Sequence, residues 1–115
     1  MDRYRVVFHI DEGTIAPNIV LHNIENLLDD LGQESVEVDL VANGEGVKAL
    51  VRSPNVHQAQ IRKLAGRGVA FLACRNSLRF LGLSEGDMLE PVTVIPAGVS
   101  ELVKRQAEGW AYVRP

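Results

Sequence analysis

A single cysteine, Cys74, stands in a chain of 115 residues. One thiol excludes an intrachain disulfide and any cysteine-based metal cluster. The three histidines, His9, His22 and His57, are not at metal-ligand spacing, so no metal and no cofactor is expected. No apolar run approaches the length of a membrane span, and the polar start, Met1 to Arg5, has no signal-peptide pattern. A cytoplasmic, reducing compartment is therefore expected, with neither a membrane nor a nucleic acid as partner. Acidic residues are also missing from one long stretch. Between Gly46 and Ser84 there are none, although Lys48, Arg52, Arg62, Lys63, Arg67, Arg75 and Arg79 lie there. Met1 to Glu45 holds ten acidic residues against Arg3 and Arg5. That segregation fits solvated helix faces of differing sign, an anion or thiolate site, or a surface that pairs with the acidic part of a second copy.

What is present is an ordinary soluble composition, 46% hydrophobic and 23% charged, at the size of one domain. Tyr4 to Ile10 is rich in β-formers and reads as a strand buried on both faces. Thr14 is a candidate N-cap, Pro17 fits a first helical turn, and apolar residues from Ile15 to Leu31 recur at helical spacing up to Gly32. Ser35 to Ala42 alternates, with Glu37 and Asp39 opposite Val36, Val38 and Leu40, which places this strand nearer an edge or a subunit contact. Asn43 to Gly46 is a turn. Short helices follow around Val47 to Val51 and from Val56 to Ala65. Val69 to Ala73 is apolar without alternation, as in a central parallel strand. A helix from Asn76 to Leu83 is predicted, with Leu78, Phe80 and Leu81 apolar, and then a polar loop from Ser84 to Pro91. Val92 to Ile95 is a fourth strand, and Gly98 to Glu108 a helix with Val99, Leu102 and Val103 inward. Trp110 to Val113 is a fifth strand. Strands alternating with helices predict a three-layer α/β/α sandwich on a five-stranded, mostly parallel sheet. Right-handed crossovers bring the loops Asp11–Thr14, Asn43–Gly46, Cys74–Asn76 and Pro96–Gly98 to one edge, where open α/β sheets bind ligands.

Three features at that edge invite a chemical reading. Gly44-Glu45-Gly46-Val47-Lys48-Ala49 fits the dinucleotide-loop pattern, but it follows the second strand and no acid for a ribose lies about twenty residues on. No dinucleotide binding is expected, although the backbone N–H groups there could receive an anion. His9 lies near the end of the first strand beside Asp11, either as a satisfied imidazole or as part of a pocket. Cys74 ends an apolar strand and opens a helix, where free N–H groups, the helix dipole and neighbouring Arg75 and Arg79 favour a thiolate. Against this, cysteine is also a common small core residue.

Cys74-Arg75-Asn76-Ser77-Leu78-Arg79 after an apolar strand, with Gly82 beyond, resembles the cysteine-bearing strand–helix element of the DsrE/DsrF-like proteins, which include sulfur-relay subunits. The resemblance extends to Phe8–Asp11, to Pro96-Ala97-Gly98-Val99 and to the ending Glu108–Pro115. It implies the α/β/α fold, with strand order 4-3-2-1-5. It also implies a persulfide-carrying cysteine at Cys74 and assembly as a trimer or hexamer, with sulfur donor and acceptor proteins as partners. On that reading the chain is a sulfurtransferase-like sulfur carrier. His9, Asp11, Asn43, Gly44 and Asn76 line the pocket, Arg75 supports the thiolate, and Gly98 permits close approach. A small-molecule-binding module, or a structural oligomeric subunit without covalent chemistry, is the alternative.

Overall fold

The computed structural model describes residues 3–11 and 17–115. Its sheet has five strands in the order β4-β3-β2-β1-β5, with every neighbouring pair parallel. The strands are β1 (Tyr4–Ile10), β2 (Val36–Ala42), β3 (Ala70–Cys74), β4 (Val92–Ile95) and β5 (Ala111–Val113). The helices are α1 (Pro17–Leu31), α2 (Gln58–Gly66), α3 (Arg75–Phe80) and α4 (Gly98–Ala107). The expected fold is therefore present, and the sheet is parallel throughout. The Thr14 cap and Ile15 lie outside the described residues.

Period-two side-chain alternation divides the sheet into two unequal faces. Val6, Phe8 and Ile10 of β1, Val38 and Leu40 of β2, and Phe71 and Ala73 of β3 face the larger core. Val20, Ile24 and Leu28 of α1, Ile61 and Leu64 of α2, and Leu78 of α3 close over them. Among the described residues the opposite face is covered by α4 and by Trp110 after it, with Val7, Val41 and Leu72 packed on Leu102 and Trp110. α4 was expected to bury three apolar residues, yet only Leu102 goes in. Val99 and Val103 are 62% and 61% exposed, because a ten-residue helix lying on a flat sheet presents a single narrow stripe.

β2 lies at the centre of the sheet, not near an edge. Its alternation has another cause. Asp39 is only 4% exposed and forms an ion pair with Arg105 of α4, Nε to Oδ2 3.0 Å. Burial pushes the Asp39 carboxyl above the ordinary carboxylate range. The Arg105 charge opposes that, and Glu37 and Glu101 add to it. The Arg105 guanidinium lies 4.6 Å from the Trp110 ring centroid, with Arg5 at 5.9 Å. Aromatic and cation stacking thus replaces part of an apolar second layer.

Other boundaries shift for local reasons. Gly44–Leu50 is a 3-10 helix and includes the expected turn. α3 has six residues and stops before Leu81 and Gly82, and Phe80 at its end is 88% exposed. The predicted polar loop contains a short helical turn with a Ser84–Asp87 capping box, followed by buried Met88 and Leu89. The acid-free stretch is neutralised largely within the chain. Lys48 pairs with Glu45, Arg62 with Glu90, Lys63 with Glu25, Arg67 with Asp29 and Arg75 with Glu85.

The 3-10 segment is seated against β1 by Gly46, which is buried. A Cβ at Gly46 would overlap the carbonyl carbon and oxygen of Ile10, atoms of the backbone that cannot swing aside. Gly46→Ala is accordingly expected to lower stability by roughly 1–3 kcal/mol, the range for an overpacked core. A urea unfolding midpoint equal to that of the unaltered chain would show that the loop simply lifts off the strand.

Candidate functional site

Parallel strands with α-helical crossovers carry their ligand edge at the strand C-termini. Here β1 ends at Ile10, β2 at Ala42 and β3 at Cys74. The Asn43 N–H donates to the Ile10 carbonyl at 3.1 Å, so the ends of β1 and β2 stay in register past the last ladder pair. His9, Asn43 and Cys74 occupy positions of one parity relative to Val7, Val41 and Leu72, and so belong to the face that α4 covers.

Cys74 is the last residue of β3 and the N-cap of α3, in extended conformation and 5% exposed. Its sulfur is neighboured by the Ser77 hydroxyl and the backbone N–H groups of Gly98, Ser77 and Asn76. None of these completes a conventional side-chain cap. Burial alone would raise the thiol, but the four donors together outweigh it and bring the thiol below its ordinary value. The N-termini of α3 and α4 both contribute, since Gly98 is the first residue of α4.

Ser77 was not singled out in the sequence. It lies three residues after the cysteine, so one helical turn brings its hydroxyl back to the sulfur. Its oxygen accepts the Gly44 N–H at 2.7 Å, which leaves the hydroxyl proton available to the sulfur. Gly44 can offer that N–H because it sits at φ +55, in the left-handed region. The dinucleotide-like loop therefore serves the cysteine's own helix. Gly44, Glu45, Asn76, Ser77, Phe80 and Leu81 line an open hollow of about 280 Å³ beside it.

Gly98 stands where a side chain would be crowded. An added Cβ would lie 3.0 Å from Asn43 Cβ, 3.3 Å from Cys74 Cβ and 3.4 Å from Val41 Cγ1. Asn43 and Cys74 thus flank one point. Asn43 Oδ1 is 2.7 Å from His9 Nε2, and His9 Nδ1 is 2.6 Å from the Tyr112 hydroxyl. A carbonyl oxygen at Nε2 requires a proton there, so in the neutral ring Nδ1 accepts from Tyr112. The half-buried His9 is consequently bonded at both nitrogens.

Two expected members of the pocket are engaged elsewhere. Arg75 forms an ion pair with Glu85 at 2.8 Å. Asp11 accepts from Arg114 at 2.8 Å and closes the β1–β5 side of the edge. Among the described residues no cluster of histidine, cysteine and carboxylate suits a metal ion. Among the described residues no helix is long and apolar enough to cross a membrane.

A parallel five-stranded sheet with a cysteine at the end of its third strand defines a small α/β protein with a thiol-centred edge. The chain belongs to the DsrE/DsrF-like family, whose model matches residues 5–115. None of the curated proteins matches it. It is similar to the solved structure of MTH1491, a protein of unknown function from Methanobacterium thermoautotrophicum. The two share 44% identity over 97% of this chain and 99% of that one, at a TM-score of 0.89. The ychN protein from E. coli has the same fold at 16% identity and TM-score 0.78, covering all of both chains. So has BT1422 from Bacteroides thetaiotaomicron, at 16% identity and TM-score 0.73 over 96% and 94%.

The Cys74 thiol is expected to titrate below about 8.5, the value of a free thiol. The rate of alkylation by a small iodoacetamide-type reagent, followed from pH 5 to 9, reports this. Ser77→Ala removes one donor and should slow alkylation at pH 7 roughly two- to tenfold. An unaltered chain whose rate rises only at the free-thiol pH would make Cys74 a packing residue.

Proposed function

We propose that this protein is a sulfur carrier that holds sulfane sulfur as a persulfide on Cys74 and passes it to an acceptor thiol. The observation that carries the proposal is the convergence of one hydroxyl and three backbone N–H groups on the only sulfhydryl of the chain, at the ligand edge of the sheet. A thiolate is the species that attacks sulfane sulfur, and these donors favour it without a metal or a fixed counter-charge. Family membership supports the same reading.

Burial limits who can take part. At 5% exposure Cys74 excludes bulky reagents, so a donor must present a protruding sulfur. Once loaded, the side chain is longer by one sulfur, and that outer atom extends from the buried position toward the surface. The inner sulfur remains among its donors. The hollow beside Ser77, with Phe80 projecting from its rim, offers apolar surface to a donor or acceptor protein.

Incubation with a polysulfide followed by intact-mass measurement tests the proposal. One added sulfur per chain is expected, removable by a reducing thiol and absent from Cys74→Ser. An unmodified chain would leave the edge as a binding module without covalent chemistry.

We also propose self-association as a trimer, or as a hexamer of two trimers. The exposed Val99 and Val103 on α4, the one helix among the described residues over its face of the sheet, support burial against further copies. Sedimentation at moderate salt is expected to give one of these species at micromolar concentration. A stable monomer would refute the assembly while leaving the sulfur chemistry intact.

A further inference from the structure

The edge contains a second ordered element that the thiolate does not use. Tyr112 on β5, His9 on β1 and Asn43 after β2 form a hydrogen-bonded row of two contacts, 2.6 and 2.7 Å, directed across the sheet toward β3. The row fixes the Asn43 amide. Oδ1 is held on the β1 side by His9 Nε2, and because the amide is planar, Nδ2 is turned away from β1. Nδ2 has no hydrogen-bond partner among the described residues. Asn43 and Cys74 are kept together by Gly98, whose missing Cβ would touch both. The groups that lower the Cys74 thiol act on the inner sulfur, Sγ. The outer sulfur of a persulfide is a different atom one bond further out, and the Asn43 amide flanks the same point as Cys74.

We propose that the Asn43 amide donates to the outer sulfur of a persulfide on Cys74, with His9 and Tyr112 as positioning residues that hold the amide in that orientation. The inference rests on the persulfide reading and assigns this row of residues its part in it. The substrate class is a low-molecular-weight or protein persulfide, R–S–SH. Cys74 thiolate attacks the terminal sulfur of the donor, so that an Sγ–S bond forms and the donor S–S bond breaks. The electron pair of the broken bond leaves on R–S⁻, which takes the proton and departs as R–SH. Cys74–S–S⁻ remains, with the negative charge on its outer sulfur. The transferred sulfur keeps its oxidation level, so no outside oxidant or reductant takes part. A neutral amide N–H suits that charge better than a cation would, because the sulfur must be released again to an acceptor. A hydrogen bond to a charged group stabilises modestly and reversibly.

Asn43 and the four inner donors act on different atoms, and this separates them experimentally. Unaltered chain, Asn43→Ala, Asn43→Asp and Tyr112→Phe are each equilibrated with glutathione persulfide and glutathione at a fixed ratio. The persulfidated fraction is read by intact mass, and alkylation of the sulfur-free thiol is measured on the same preparations. Asn43→Ala should reduce the ratio of loaded to unloaded chain roughly tenfold, while alkylation stays within about twofold of the original. Asn43→Asp should reduce it further, since a carboxylate opposes the outer sulfur's charge. Tyr112→Phe deletes one hydroxyl at the sheet surface and is expected to lower loading to a smaller extent, again without slowing alkylation. It keeps the test in force if replacing Asn43 prevents folding. Equal losses of loading and alkylation would mean that the row merely maintains the fold around Cys74, and the inference would be overturned. Unchanged loading in both Asn43→Ala and Tyr112→Phe would overturn it as well. An unaltered chain that takes up no sulfur would instead refute the sulfur-carrier reading itself.

Discussion

The close approach of α4 to the strand ends, permitted by the absent side chain at Gly98, sets the spacing of the whole site. Three elements meet there: the end of β2 through Asn43 and Val41, the end of β3 through Cys74, and the first turn of α4. With a methyl group at that point, the neighbours would have to yield by several tenths of an ångström. The α4 N–H would retreat from the sulfur and Asn43 from Cys74. Gly46 imposes a similar constraint on the other side of the edge, where it presses the 3-10 segment against the Ile10 carbonyl. Between these two contacts Ser77 receives the Gly44 N–H and turns its own hydroxyl toward the cysteine. Rigid backbone packing thus does most of the work of placing the donors, and few charged groups are needed.

The architecture was legible because its signals were strong. The unalternating run before Cys74 indicated a central strand, and alternation of strands with helices implied a parallel sheet. The alternation in β2 misled because polar and apolar residues were assumed to mean wet and dry faces. Asp39 is dry, and what keeps it so is an arginine more than sixty residues further along the chain, which no local window contains. Val99 and Val103 misled in the opposite sense, since helical spacing identifies a stripe but not the width of the surface waiting to receive it.

At the site, residue types were easier to read than partnerships. Cys74 and His9 drew notice from their places near strand ends, whereas Asn43 and Gly98 entered as pocket residues through the family resemblance. Arg75 was placed beside the sulfur by adjacency in sequence, which does not disclose its ion pair with Glu85. Ser77 was passed over although the three-residue interval from Cys74 was available to find it. Tyr112 could not be paired with His9 without knowing that β5 lies beside β1.

That placement of β5 also affects how the molecule is made. The contacts of His9 with Tyr112, of Asp11 with Arg114 and of Arg5 with the Glu108 carbonyl each join residues 103 apart. Synthesis is vectorial, so β1 leaves the ribosome long before its outer neighbour exists and keeps an open hydrogen-bonding edge meanwhile. The sheet can grow from β1 through β2 and β3 to β4 by successive crossovers. Insertion of β5 must wait for the last segment, and closing so long a loop is entropically the slowest kind of step. Cys74 can therefore sit at a formed strand end before Tyr112 has locked His9 and, through it, Asn43.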